Sequence, residues 1–135
     1  MAELMRETTY FNLESFVLEG KFTHLYTMTG GTGTGKVRMG QIVSYDVTTG
    51  KLIPYVEGTN EPFSIIIMEF ADTEIDLESG DQKVAILQPN GGKFNHNKLY
   101  LDYNTPYVHG SNNPTLLGLW KIGIPLVNID AGEEV

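Results

Sequence analysis

Residues 37–55, VRMGQIVSYDVTTGKLIPY, constrain the fold more than any other part of the chain. Apolar, β-branched and aromatic side chains alternate there with shorter or polar ones, and a Thr-Thr-Gly turn separates two such runs. These residue types fit a pleated, half-buried surface, and Gly50 can take the positive φ that a short hairpin loop requires. The stretch therefore predicts a β-hairpin. Pro54 is expected at an edge or at the end of its strand, because proline cannot donate to a ladder.

The length and charge of the chain limit what it can be. Its 135 residues are the length of a single domain. It has no cysteine, so we expect packing or assembly to stabilise it and no thiolate metal site. Seventeen acidic residues against nine basic ones give a net charge of −8, which disfavours nucleic acid and membrane surfaces as partners. The longest apolar run, residues 65–68, is too short to span a bilayer, and the first twenty residues lack the apolar centre of a signal peptide. We expect a soluble protein without an export signal.

The chain divides into an N-terminal arm and a body. Residues 1–12 mix charged residues, threonine and two aromatic residues with no sustained period, which is typical of a segment able to extend. An untethered tail is the alternative. We expect residues 1–15 to form an extended N-terminal arm and residues 16–135 to form a single β-rich domain.

Further strands are predicted in the first half of the body. Residues 16–18 and 22–28 predict a short strand pair whose apolar residues lie in the core. Residues 63–70, FSIIIMEF, form a dense apolar run that predicts a central and most buried strand. The core residues expected from the first pair are Phe22, Leu25 and Tyr26.

A second hairpin is predicted around a Ser-Gly-Asp turn. Residues 73–77 alternate apolar and acidic side chains, with Ile75 and Leu77 expected to face inward, and residues 83–87 are expected to return alongside them. A third turn is predicted at residues 89–92.

The C-terminal part predicts the one helix. Residues 97–103 fit either a single helical turn or a strand. Asn113 is a good N-cap, Pro114 suits the first helical position, and Gly123 is expected to stop the helix before a last strand over residues 124–129. The predicted fold class is therefore mostly β (α+β), a compact domain with one C-terminal helix. The helix face expected to pack into the core carries Leu116, Leu119, Trp120 and Gly123.

Residues 30–36, GGTGTGK, fit the first seven positions of the phosphate-binding P-loop. The eighth position needs Ser or Thr to hold magnesium and should open a helix, whereas Val37 stands there and strand-like residues follow. The stretch therefore predicts a flexible loop, and a nucleotide hydrolase acting through it is a distant third hypothesis for function.

No other pattern indicates catalysis or a cofactor. The acidic residues after the apolar run lack the ligand order of an EF-hand, and alternation on a strand explains them as a solvated face. The three histidines have no zinc-ligand spacing, and no serine stands in a nucleophile elbow. We expect a protein without enzymatic activity, cofactor or metal. The acidic residues in question are Asp72, Glu74, Asp76, Glu78 and Asp81.

A series of short motifs runs through most of residues 16–129. The motifs are GQIVSYD at 40–46, TGKL at 49–52, the isoleucines at 65–67, the acidic stretch at 72–76, VAIL at 84–87, GKFN at 92–95 before Leu99, the helix at 116–120 and Gly123-Ile124. In its order this series resembles the lambda-type head decoration proteins of tailed bacteriophages.

The resemblance implies a β-rich decoration domain that sits as homotrimers on the outer surface of the expanded phage head. Such a late protein is made in the host cytoplasm, binds the major capsid protein and stabilises the virion capsid against DNA pressure. The arm would add a strand to a sheet edge of the capsid protein. The arm residues expected to contact the capsid are Leu4, Met5, Arg6, Thr8, Tyr10, Phe11, Leu13 and Phe16.

A virion-surface module that binds carbohydrate or a receptor is the rival hypothesis. In that case exposed aromatic residues would form the binding face, namely Tyr103, Tyr107 and the loop around His109.

Overall fold

The structure is a computed structural model, and it describes residues 23–67, 74–87 and 93–127. These residues are mostly β, with one helix near the C-terminus, as the sequence predicts. The strands are β1 (Thr23–Met28), β2 (Lys36–Arg38), β3 (Ile42–Asp46), β4 (Lys51–Pro54), β5 (Ser64–Ile65), β6 (Glu74–Asp76), β7 (Gln82–Leu87), β8 (Phe94–Asn95), β9 (Tyr100–Asp102), β10 (Thr105–Pro106) and β11 (Leu126–Val127); the helix is α1 (Asn113–Lys121), and a 3-10 turn covers His96–Lys98.

Five strands form a ring. Their order is β5-β3-β4-β1-β7, with antiparallel neighbours except for β1 and β4, which run parallel at Met28 and Leu52. The residue after β5 closes the ring, because Ile66 forms an antiparallel bridge with Ile86 of β7. Ile67 adds an N–H bond of 2.9 Å to the carbonyl oxygen of Ala85. The sheet therefore closes on itself, and its end strands are paired rather than open.

Two hydrophobic cores lie on opposite faces of this ring. We call the cluster that contains residues of β1, β3, β4 and β7 together with Ile66 the inner core, and the cluster between the ring and α1 the outer core. Successive residues of a strand point to opposite faces, so Ile66 enters the inner core while Ile65 and Ile67 enter the outer one. The inner core contains Met28, Val37, Val43, Leu52, Ile66, Leu77, Val84 and Ile86; the outer core contains Met39, Ile42, Tyr55, Ile65, Ile67, Leu87, Phe94, Leu99, Tyr107, Leu119 and Ile124.

The apolar run at residues 65–67 is buried because both of its faces are covered. This confirms the predicted burial, and the run lies between β3 and β7 as a central strand would. The regular ladder is shorter than predicted, since β5 covers only Ser64–Ile65. Residues 68–70 lie outside the described residues, as do residues 1–22, the turn at 89–92 and the acidic tail at 130–135.

The predicted first hairpin is confirmed over β3 and β4. Gly50 has a φ of 72° and donates its N–H to the Asp46 carbonyl oxygen at 2.8 Å, and Pro54 ends β4 as expected. The predicted start at residue 37 is wrong, because residues 36–38 form β2 and pair with β6 instead. Gly40, with a φ of 87°, redirects the chain between β2 and β3.

The predicted second hairpin is wrong. β7 pairs with β1 over six register pairs, and β6 pairs with β2. The turn between them exists, with Gly80 donating to the Leu77 carbonyl oxygen at 3.2 Å, and Leu77 faces inward as predicted. Alternation of side chains fixes the face that a strand buries but not its partner, and in this chain the partner of β7 is β1.

Three further assignments are settled by the structure. Residues 97–103 contain both of the alternatives, because the 3-10 turn ends at Lys98 and β9 follows it. Leu25 is wrong as a core residue, since 70% of it is exposed while its neighbour Tyr26 packs against the inner core. Trp120 is also wrong as a core residue, since Leu119 takes the buried side of α1 and leaves Trp120 66% exposed.

Candidate functional site

A cavity of about 620 Å³ opens between the glycine loop, residues 30–36, and the turn that joins β9 to β10. Its lining includes the buried apolar residues Met28, Val37 and Leu77, and polar residues from both sides. The volume lies in the range of small-molecule sites, and a mostly apolar wall with a few polar groups is their usual composition.

Three amides of the glycine loop are occupied by the protein's own carboxylates. Glu78 accepts the N–H groups of Gly33, at 2.9 Å, and of Gly35, and Asp81 accepts the N–H of Gly30 at 2.9 Å. We call Glu78 and Asp81 the loop clamp. In a P-loop these amides would face phosphate and a helix would follow, whereas here β2 follows. The loop is therefore pinned rather than flexible, and it is not built as a nucleotide site.

The acidic residues near this loop are bound to separate partners. Glu74 accepts from Tyr103 and pairs with Lys36 Nζ at 2.9 Å, and these two contacts hold the pKa of Glu74 below its ordinary value. Asp81 pairs with Lys51 Nζ at 2.7 Å, which is the chief cause of its lowered pKa. Among the described residues no group of three or more His, Asp or Glu side chains is placed to hold a metal ion. Asp72 lies outside the described residues.

Tyr103 forms one wall of the cavity and is held at both ends. Its hydroxyl donates to Glu74 Oε2, and its carbonyl oxygen accepts from Arg38 at 3.4 Å. The Arg38 guanidinium in turn lies 3.9 Å from the centroid of the Tyr100 ring, a cation–π distance. The ring of Tyr103 is therefore a fixed aromatic surface at the cavity.

Gln41 also lines the cavity and is 4% exposed. Its carbonyl oxygen is fixed by Ile66 N–H at 2.8 Å, and its side-chain Oε1 accepts the Arg38 N–H at 3.1 Å. Sequence reasoning missed Gln41. The available signal was a glutamine at the start of the apolar strand β3, where a buried amide needs partners.

Of the residues of the rival binding face, Tyr107 and His109 are in contact with each other, and Tyr103 lies at the cavity. Tyr103 lines the cavity, but Tyr107 is 6% exposed and belongs to the outer core. Its hydroxyl lies 2.9 Å from His109 Nδ1, and the ring of His109 stacks on His96 with centroids 4.6 Å apart. Burial in the outer core raises the pKa of Tyr107. Tyr107 therefore packs inward, and its predicted place on an exposed binding face is wrong, whereas His109 is exposed as predicted.

Helix α1 is positioned by Glu57, which we call the helix clamp. Its Oε2 accepts the N–H of Thr115 at 3.2 Å and the Thr115 hydroxyl at 2.6 Å, and its Oε1 accepts from Asn112 Nδ2 at 3.0 Å. Because the Thr115 hydroxyl has one proton and gives it to the carboxylate, the Tyr55 hydroxyl at 2.7 Å is the donor to Thr115.

The helix begins one residue earlier than predicted. Asn112, not Asn113, is the N-cap, and its side chain accepts from Val108 N–H instead of capping α1. Glu57 therefore supplies the acceptor that an N-cap side chain would give to the first turn. At the other end Gly123 takes a φ of 81° and stops the helix as predicted.

The outer face of α1 is apolar and exposed. Leu117 is 59% exposed and Trp120 is 66% exposed, three residues apart and hence on one face. Clustered exposed apolar residues of this size mark interaction surfaces more often than single ones do.

The predicted arm residues, Leu4 to Phe16, lie outside the described residues. The strand that follows them, β1, pairs with β7 along its whole length but meets β4 only at Met28. Within the described residues, the β4 side of β1 from Thr23 to Thr27 therefore faces no strand.

No model of a known protein family matches this chain, and no curated protein matches it significantly. In the part of the chain that the structure describes, no helix is long and apolar enough to cross a membrane.

Proposed function

We propose that this protein is a structural capsid decoration protein, which binds as a homotrimer to the outer surface of an expanded phage head and stabilises it against DNA pressure. The observation that carries the proposal is that β1 is the first described strand after the arm. β1 belongs to a closed ring and pairs with β7 over six residues. A force on the arm would therefore act on the β1–β7 ladder and be distributed over the strands of the ring.

The arm is the capsid-binding element of the proposal. Residues 1–15 would add a strand to a sheet edge of the major capsid protein, where main-chain hydrogen bonds supply affinity. Three arms on one trimer would combine weak contacts through effective concentration. Ordering the arm has an entropic cost of roughly 1–2 kcal/mol per residue. Binding should therefore require the complete site of the expanded shell.

The exposed face of α1 supports contact between copies. Trp120 and Leu117 present a large apolar area with little conformational freedom to lose, and tryptophan is enriched where interfaces concentrate their binding energy. The helix clamp holds this face against the body. We place the trimer contact on this face, and the virion is the proposed location of the protein. No catalysis, cofactor or metal is part of the proposal.

The test is to mix the purified protein with expanded, undecorated heads of the phage that encodes it, sediment them and count bound copies. We expect saturable binding in multiples of three, loss of binding on deletion of residues 2–15, and weak binding to unexpanded heads. Trp120→Ala should lower the bound copies, while Val47→Ala, at the 85% exposed hairpin tip, should leave them unchanged. No binding by the full-length protein, or equal binding to unexpanded heads, would refute the proposal.

A further inference from the structure

The cavity contains a polar group that the protein itself leaves without a partner. The Arg38 N–H fixes Oε1 of Gln41, so the Gln41 amide nitrogen points to the other side, and within the described residues it makes no hydrogen bond. No described side-chain nitrogen or oxygen is both sealed from solvent and unpaired, so this nitrogen opens onto the cavity that Gln41 lines. Water in the cavity can hydrogen-bond to this nitrogen, and an acceptor oxygen of a ligand would take that water's place.

The charges of the lining favour a neutral ligand. Lys36 and Asp102 are the one cation and the one anion among the lining residues, and Lys36 is already paired with Glu74. The loop amides that would attract an anion are occupied by the loop clamp. Phosphate therefore finds no unpaired cation, and a cationic group finds only Asp102, whose exposure to solvent makes its attraction for a cation weak.

The remaining lining groups suit a ligand that carries both hydroxyl groups and C–H surfaces. Asp102 uses Oδ1 to accept the Asn104 N–H at 2.9 Å, which leaves Oδ2 as an acceptor at the rim, and the exposed side-chain amide of Asn104 both donates and accepts. The fixed ring of Tyr103 and the apolar floor of Met28 and Leu77 offer surfaces for C–H groups. Hydroxyl groups, which donate and accept, match this set.

From this arrangement we infer that the cavity is a binding site for a neutral, hydroxyl-rich ligand of the size of a mono- or disaccharide. Gln41 donates to a ligand oxygen, Asp102 and Asn104 bind hydroxyl groups at the rim, and Tyr103 packs against a face of the ring. The site differs from the predicted aromatic face because Tyr107 takes no part. It is independent of the arm and of capsid attachment.

The test is a titration of the full-length, ¹⁵N-labelled protein, followed by its amide spectrum. The probes are glucose, galactose, mannose, N-acetylglucosamine and N,N′-diacetylchitobiose, with inorganic phosphate as the anionic probe. We expect at least one saccharide to shift the side-chain amides of Gln41 and Asn104 saturably, with phosphate leaving them unmoved. If no saccharide shifts them, or if phosphate alone does, the inference is wrong.

Two variants connect the binding to the proposed groups. Gln41→Glu keeps the acceptor for the Arg38 N–H and, when ionised, removes the donor, so affinity should fall by about tenfold or more, with circular dichroism as the check that the fold is retained. Asn104→Ala, at an exposed position, should weaken binding as well. Asn113→Ala, also exposed but on α1, is the matched control and should bind as the wild type does. Wild-type affinity in both Gln41→Glu and Asn104→Ala would overturn the assignment.

Discussion

The loop clamp binds a segment at the surface of the molecule, whereas the helix clamp binds a residue in its interior. In each, a carboxylate accepts backbone N–H groups from a segment far away in the chain, 43 residues from Glu78 to Gly35 and 58 residues from Glu57 to Thr115. Glu78 is exposed, so water can take over its hydrogen bonds. Glu57 binds Thr115, which is fully buried, and through it reaches Tyr55, which is 4% exposed.

From this difference we expect that burial of the bound groups, rather than the number of hydrogen bonds, sets how much each carboxylate contributes to stability. Both clamps accept hydrogen bonds from backbone N–H groups. Both also fix a segment to which we assign a role, since the glycine loop lines the cavity and α1 carries the proposed trimer contact. Removal of the loop clamp leaves N–H groups of the glycine loop that can hydrogen-bond to water instead. Removal of the helix clamp leaves the N–H and hydroxyl of Thr115 without an acceptor in the interior, which costs the full desolvation of those groups.

The largest expected effect comes from Gly30→Ala, which tests whether the glycine loop depends on close backbone approach as well as on carboxylates. A Cβ at residue 30 would overlap the carbonyl group of Gly80 and lie 2.7 Å from the Leu77 carbonyl oxygen. Backbone atoms cannot move aside as a side chain can, so we expect a loss of about 3 kcal/mol in the free energy of unfolding. Urea unfolding followed by circular dichroism measures it.

Thr32→Ala is the control for this prediction, since Thr32 is exposed in the same loop. It should unfold at nearly the wild-type urea concentration. Equal stability of Gly30→Ala and Thr32→Ala would mean that the loop is not packed against the turn at residues 77–80, and that only the carboxylates hold it.

The next effect concerns the helix clamp. Glu57→Gln keeps one acceptor oxygen but places an NH₂ group against Thr115 or Asn112, both of which donate to the carboxylate. We expect a loss of about 1–2 kcal/mol in the free energy of unfolding, measured by urea unfolding at neutral pH. Glu61→Gln, whose exposed side chain stands in the same loop, is the matched control and should change little.

The pH dependence of this loss identifies the charge as its cause. Burial by itself would raise the pKa of Glu57, but hydrogen bonds from Thr115 and Asn112 outweigh it and hold the pKa below its ordinary value of 4.5. A lowered folded-state pKa means that the stabilisation is present above the unfolded value and is lost as the pH falls through the folded one. The gap between wild type and Glu57→Gln should be constant above roughly pH 5 and shrink below roughly pH 4. A gap that does not change with pH would show that shape, not charge, is responsible.

The sequence predicted what depends on neighbouring residues. Alternation and the Thr-Thr-Gly turn located the hairpin of β3 and β4, and the isoleucine run indicated a strand buried on both faces. Gly123 was a reliable helix stop because its positive φ is a local property. These features need no knowledge of the rest of the chain.

The sequence did not predict the pairings that join distant segments. Nothing in residues 82–87 indicates β1 rather than β6 as the partner, because both pairings bury the same face. The exposure of Trp120 depends on which side of a short helix meets the ring, and tryptophan is too often buried for its type to show this. The cavity and both clamps have the same origin, since Gln41, Glu57 and Glu78 acquire their roles only from residues that the fold brings to them.

The smallest expected effect is that of Glu78→Ala, which tests directly whether solvent exposure separates the two clamps. The variant removes both hydrogen bonds to the amides of Gly33 and Gly35, yet water reaches these groups, so we expect a loss of less than about 1 kcal/mol in the free energy of unfolding. The loop should nevertheless loosen, and amide hydrogen exchange at Gly33 and Gly35 should accelerate relative to Ser79→Ala, an exposed substitution next to it. If Glu78→Ala instead destabilises the protein as much as Glu57→Gln does, exposure is not what separates the two clamps. The destabilisation by Glu78→Ala would then come from the loop itself, whose closed conformation would hold the turn at residues 77–80 and, through Leu77, the inner core.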